Sequence, residues 1–207
     1  MEYYFVRFCM KNLNEVWSML LNGGRRKKEA FSVDNNSPII PLSVDLSEVE
    51  TRTEIERDYD RILFSTPVRR LADKTQVFPL DKNDSVRTRL THSHEVSNLA
   101  RSIGTALVFH HRIAHDVNNA TRNIPALLAT VGLAHDLGNP PFGHQGEAAI
   151  QSWFSANEKI VLSDLKTEQH RQDFLRFEGN AQAFRLVTRL QLINDDFGLD
   201  LTYASLA

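Results

Sequence analysis

The sequence predicts a mainly α-helical protein, and three observations carry that expectation. Apolar residues recur at steps of three and four over long stretches, no alternating run is long enough for a sheet, and the stretch from Ser85 to His115 contains no proline. At 207 residues, with 42% hydrophobic and 24% charged content, the chain can bury one sizeable core of ordinary globular composition. One domain with extensions is therefore the starting expectation.

The elements follow in order. Leu13, Val16, Trp17, Leu20 and Leu21 stand at helical spacing ahead of Gly23-Gly24, which predicts a short amphipathic helix over residues 12–22. The next four residues, Arg25-Arg26-Lys27-Lys28, read as a solvated charged run, with phosphate or nucleic-acid binding as the alternative. Asn35-Asn36-Ser37-Pro38 and Pro41 mark residues 31–50 as a loop or linker. From Glu54, the positions of Ile55, Tyr59, Ile62 and Leu63, then Val68 and Leu71, predict two helical segments. Pro67, suited to an early helical position, separates them.

In the proline-free stretch, Val96, Leu99, Ile103 and Leu107 follow His92 at helical steps, so His92 is expected on a buried stripe. His94 falls about 200° away, on the solvated face. A second stripe, Ile124, Leu127, Leu128 and Val131, is continued by His135, with Asp136 about 100° further round. Gly138 is expected to form a left-handed cap, and Pro140-Pro141 cannot prolong the helix. A further helix is expected from about His144, with Ala148, Ala149, Ile150, Trp153 and Phe154 in its body.

The stretch from His135 to Glu147 holds more ionisable and metal-binding side chains than a turn requires. An imidazole and a carboxylate at an open helix end suit Mn²⁺, Mg²⁺, Fe²⁺ or Zn²⁺, and His92 is the best candidate for a further ligand. The structural alternatives are a core histidine bonded to a carbonyl at His92 and an incidental His-Asp contact at the capped helix end. His111 and His115 are also one turn apart, but lie off the stripe without a nearby carboxylate motif. His144 and Glu147, three apart at a helix start, suit phosphate and proton transfer, although Glu147 can equally be a favourable first-turn charge.

These segments resemble the HD-domain phosphohydrolases, and within them the bacterial deoxyguanosine triphosphate triphosphohydrolase (dGTPase) family. The core is similar to that of the vertebrate SAM-and-HD-domain dNTP hydrolase. The resemblance rests on Glu56–Ser65, Arg69–Phe78, Arg87–Val96, the His135–Glu147 stretch and Phe177–Arg185. It implies an all-α HD bundle over residues 51–207, preceded by a partly flexible extension over residues 1–50. It also implies metal-dependent hydrolysis of a deoxynucleoside triphosphate, dGTP first, to deoxynucleoside and triphosphate.

By the same resemblance the metal ligands are His92, His135 and Asp136, with Mn²⁺ or Mg²⁺ expected. His144 and Glu147 are the catalytic pair, Arg89 meets the α-phosphate, Gln76 reads the 3′-hydroxyl, and Asn139 lines the same pocket. The family draws a further aspartate from a later helix. Asp164, Asp173, Asp195, Asp196 and Asp200 lack its context, so the sequence reads as the N-terminal part of a longer enzyme with an open-sided pocket. Alternatives are another HD nucleotide phosphohydrolase, or an inactive regulatory or nucleic-acid-binding remnant drawing on Arg25–Lys28 and Arg69-Arg70.

A net charge of -2 exerts no global pull on polyanions, so any such ligand needs a local basic cluster. The single Cys9 permits no internal disulfide and fits a reducing cytoplasm. No apolar run is long enough to span a bilayer, and no export signal is visible at the N-terminus. The expected partners are a dNTP, further copies of the chain, and single-stranded DNA as an additional candidate.

Overall fold

A computed structural model describes residues 13–27, 51–74, 76, 85–191 and 196–207. The expectations for Cys9, Lys28, residues 31–50 and Asp195 lie outside the described residues. Among those described are nine α-helices and no strand, so the all-α class read from periodicity is the class observed. In chain order they are α1 (Leu13–Leu20), α2 (Glu54–Leu63), α3 (Thr66–Arg70), α4 (Arg89–Phe109) and α5 (Ala120–Ala134). Then follow α6 (Gly143–Val161), α7 (Glu168–Leu175), α8 (Gly179–Arg185) and α9 (Tyr203–Leu206). No described helix is long and apolar enough to cross a membrane.

Local chemistry explains where several helices begin. At α2 the Thr53 hydroxyl accepts from Glu56 N at 3.2 Å, while the Glu56 carboxylate accepts from Thr53 N at 2.7 Å, a reciprocal capping box. Pro67 occupies the first turn of α3, where its missing N–H costs nothing. Thr88 caps α4 by accepting from Thr91 N.

Helices α4 and α5 form the spine. A Cβ on Gly132 would stand 2.9 Å from Ser97 Cα, and one on Gly104 would stand 2.9 Å from Pro125 Cα. The two backbones therefore cross at a separation that only small residues allow. This overturns the predicted stripe. Buried on α4 are Arg89, Ser93, Ser97, Gly104 and Val108, whereas Leu99 is 64% and Ile103 58% exposed, and Val96 and Leu107 are half-buried. A backbone-to-backbone contact selects small side chains, so the broad apolar ridge of α4 turns away from α5. Val131 on α5 is likewise exposed, while Ile124, Ala129 and Leu133 are buried. His92, next to Ser93, is half-buried at the edge of the contact, and His94 is exposed.

Two apolar clusters fill the bundle. Leu21, Ile55, Val108 and Ile124 belong to one. Ile62, Val68, Leu71, Leu133, Leu137 and Val187 belong to the other. Leu133 and Leu137 flank His135-Asp136 in sequence, so burial of those leucines, each worth about 2 kcal/mol, also fixes the helix end that carries the pair.

A polar clasp joins segments far apart in the chain. Arg25 is only 5% exposed. Its guanidinium pairs with Glu54 at 2.6 Å and Asp58 at 2.9 Å and donates to the carbonyls of Glu54 and Asp200. Asp58, fully buried, accepts from Thr202 N at 2.8 Å and from the hydroxyls of Thr202 and Ser205, each at 2.7 Å. Arg26 donates to the carbonyls of Thr188 and Phe197. Arg25 and Arg26 are therefore neither the solvated run nor the phosphate or nucleic-acid patch considered from sequence. A run of cations looks solvated until buried acceptors 30 and more positions away are known to face it.

Candidate active site

The first part of the site forms where α5 ends. One ligand atom from each of His92, His135 and Asp136 lies within 4.8 Å of the others, the one such His/Cys/Asp/Glu group among the described residues. The two imidazoles meet edge to face, with centroids 5.2 Å apart. His135 Nδ1–H donates to Gly132 O at 2.7 Å, which fixes the tautomer and leaves Nε2 as the free donor atom. Asp136, 5% exposed, accepts from Arg89 Nη1 at 3.0 Å and, through its other oxygen, from the Asn139 side-chain amide. Two neutral nitrogens and one carboxylate form a donor set suited to a divalent cation.

The loop after Asp136 is held by close approach. The left-handed cap expected at Gly138 is absent: the positive φ values in this loop belong to Phe142 (68°) and Gly143 (53°). Gly138 is needed for space, because a Cβ there would collide with the backbones of Gly179 and Ala183 at α8. The tight turn sits at Phe142-Gly143 and launches α6 directly over Arg89, so near that a Cβ on Gly143 would lie 2.7 Å from Arg89 Nη2. Asn139 O accepts from Lys74 Nζ at 3.0 Å, and Lys74 O accepts from Arg89 N at 2.9 Å. Lys74 thus bridges the loop to the start of α4.

The second part of the site lies on the first turn of α6. His144 Nδ1–H donates to Glu147 at 2.7 Å, and the other Glu147 oxygen accepts from Gly179 N at 2.7 Å. Glu147 is buried, whereas the His144 side chain is 90% exposed. The ring is therefore oriented from behind and presented forward through Nε2. The hydrogen bond from His144 holds the Glu147 carboxyl below the usual glutamate range, aided by Gly179 N–H and by the His144 and Arg89 charges, against burial. A lowered folded value means that the ionised carboxylate stabilises the fold above its ordinary pKa of 4.5, a contribution lost as pH falls through the lower folded value. Glu147→Gln should therefore cost stability near neutrality and flatten the acid limb of a thermal-unfolding series run from pH 4.5 downward. Parallel profiles for the two proteins would contradict this account.

The structure thus groups His92, His135, Asp136, Arg89 and Asn139, and stands His144 with Glu147 beside Arg89. Gln76 is half-buried, two residues beyond Lys74. Sequence reasoning assigned no role to Lys74 or Gly179, although both fall in segments it singled out. Gly179, just after the α8 cap Glu178, leaves no room for a Cβ against Asn139 and Glu147. His115 does have a carboxylate beside it, Asp116 at 3.0 Å, but no third ligand joins them among the described residues.

Comparison with known proteins bears on this geometry. Residues 89–195, which contain both parts of the site, match the HD domain family. A deoxyguanosinetriphosphate triphosphohydrolase-like protein of Listeria monocytogenes is 42% identical over 202 residues, covering 92% of this chain and 40% of its own length. One from Synechocystis is 47% identical over 170 residues, covering 75% and 36% respectively. A deoxyguanosinetriphosphate triphosphohydrolase of Enterobacter is 37% identical over 177 residues, covering 72% and 35%. The chain spans about two fifths of the length of these relatives.

Proposed function

The chain belongs to the HD-domain family, and on that premise we propose that it is the site-bearing part of a metal-dependent hydrolase acting on deoxynucleoside triphosphates, dGTP first, to release deoxynucleoside and triphosphate. The observation that carries this reading is the juxtaposition of a three-donor group with an exposed, carboxylate-oriented histidine and an intervening buried arginine. That is the equipment needed for attack at phosphorus and departure of an alkoxide.

His92, His135 and Asp136 would hold the cation, Mn²⁺ or Mg²⁺, which when bound supplies Lewis-acid polarisation of a phosphate and activation of water. Arg89 carries a charge that offsets negative charge developing on the α-phosphate, and α6 directs its N-terminal dipole to the same region. Water adds to the α-phosphorus and the bond from phosphorus to the 5′-oxygen breaks. His144 Nε2–H protonates that oxygen as it leaves, while Glu147 keeps the ring in register. Gln76 is assigned to the 3′-hydroxyl, and Asn139 lines the same pocket while its amide steadies Asp136. The proposed catalytic domain runs over residues 51–207, and assembly with other copies in the cytoplasm is part of the same proposal.

A panel of the four dNTPs with Mn²⁺ or Mg²⁺, followed by phosphorus NMR, tests the reading. Triphosphate and nucleoside are expected in equal amounts. His144→Gln should keep metal binding and lower turnover by roughly a hundredfold or more, the usual contribution of a general acid. Release of orthophosphate, or no turnover of any dNTP, would overturn the assignment.

A further inference from the structure

We propose that Lys74 is a polyanion-binding residue of this site, contacting the phosphates beyond the one that Arg89 meets. The proposal rests on the hydrolytic reading above and names a residue that reading does not use.

The argument begins with charge. Lys74 is half-buried, and its ammonium makes one hydrogen bond, to the neutral carbonyl of Asn139 at 3.0 Å. Among the described residues no carboxylate lies within ion-pair distance of it. An ammonium has three donors, so two are without a partner among the described residues. Among the described residues its charged neighbours are mostly of its own sign, Arg89 and Arg70, and the one nearby carboxylate there, Asp136, is already engaged by Arg89 at 3.0 Å. Burial, then repulsion from Arg89 and Arg70, holds the Lys74 ammonium below the usual lysine range. A half-buried cation among cations costs free energy. A ligand carrying several negative charges removes that cost, whereas a single phosphate is matched by Arg89 alone.

Position gives the second line. Lys74 O accepts from Arg89 N, and Lys74 Nζ meets the carbonyl of Asn139, whose amide holds Asp136. The ammonium is therefore two contacts from the three-donor group and one residue's main chain from the arginine. Arg70, exposed at the end of α3, extends the same positive surface outward. A linear polyphosphate with its first phosphate at Arg89 would find Lys74 next.

The competing role is mechanical, with Lys74 only pinning the Asn139 loop. Calorimetric titration with orthophosphate, pyrophosphate and inorganic triphosphate, in Mn²⁺, separates the two using wild type, Lys74→Met and Lys74→Arg. Lys74→Met should weaken triphosphate binding by roughly ten- to a hundredfold, the range for a charge-assisted hydrogen bond, with smaller losses for pyrophosphate and least for orthophosphate. Its Mn²⁺ affinity should stay within about twofold of wild type, and Lys74→Arg should recover most of the triphosphate affinity. Unchanged triphosphate binding by Lys74→Met, or equal losses for all three anions and Mn²⁺, would overturn the proposal, as would failure of the wild type to bind triphosphate. Lys74-dependent triphosphate binding without dNTP cleavage would leave this inference standing and remove the hydrolytic one.

Discussion

Asp136→Asn should lower divalent-metal affinity by more than about a hundredfold and reduce turnover to background, while the helices remain intact. Changes to residues that merely support a ligand cost 10- to 100-fold, so loss of a ligand carboxylate sets the larger scale. Asn keeps the shape and an oxygen for Arg89, but removes the charge that both the cation and the buried guanidinium require. His92 and His135 alone would leave two neutral nitrogens, too few to hold a hard divalent ion against water. Equilibrium dialysis with metal analysis reads the affinity, and far-UV circular dichroism confirms the fold. A variant that binds metal like the wild type would show that Asp136 serves Arg89 rather than a cation.

The second large effect is on stability. Asp58→Ala should cost about 3–5 kcal/mol in urea unfolding, because it removes the buried one of Arg25's two carboxylate partners and leaves Thr202 and Ser205 without their acceptor. Ser205→Ala, which deletes one of those bonds and no charge, should cost about 1 kcal/mol and provides a measurable variant if the first does not fold. A loss below about 1 kcal/mol for Asp58→Ala would mean that the clasp is solvated rather than buried.

The sequence carried the helical class and the local chemistry well. Pro67 announces its helix start, and His144 with Glu147 their shared face, because each depends on spacing within one turn. What it misassigned depends on partners distant in the chain. Periodicity points to the apolar ridge of α4 as its buried face, but the α4–α5 crossing is built from Ser97, Gly104 and Gly132, whose small size gives no hydrophobic signal. His92 nevertheless reached the site: it is half-buried beside the fully buried Ser93, one helical turn before Ser97 of that crossing. Gly138 before Pro140-Pro141 suggests a special backbone conformation, whereas what it meets is the passage of α8 close above it. Arg25 and Lys74 share the same lesson: whether a cation is solvated, clasped or waiting for an anion depends on what faces it, and no local pattern encodes that.

The clasp around Asp58 also imposes a timetable on synthesis. Arg25 meets Glu54 and Asp58 once about thirty more residues have been made, but the hydroxyls and amide that complete Asp58 come from Thr202 and Ser205, 144 and 147 positions downstream. While those positions are still being translated, the salt bridge faces water on the side that will become its interior. Sealing it requires closure of a very long loop, a non-local contact whose entropic cost rises with the logarithm of its separation and which slows folding accordingly. The nascent bundle can therefore assemble its helices from local signals as they emerge, yet its beginning stays unlatched until residues 200–205 arrive to shut it.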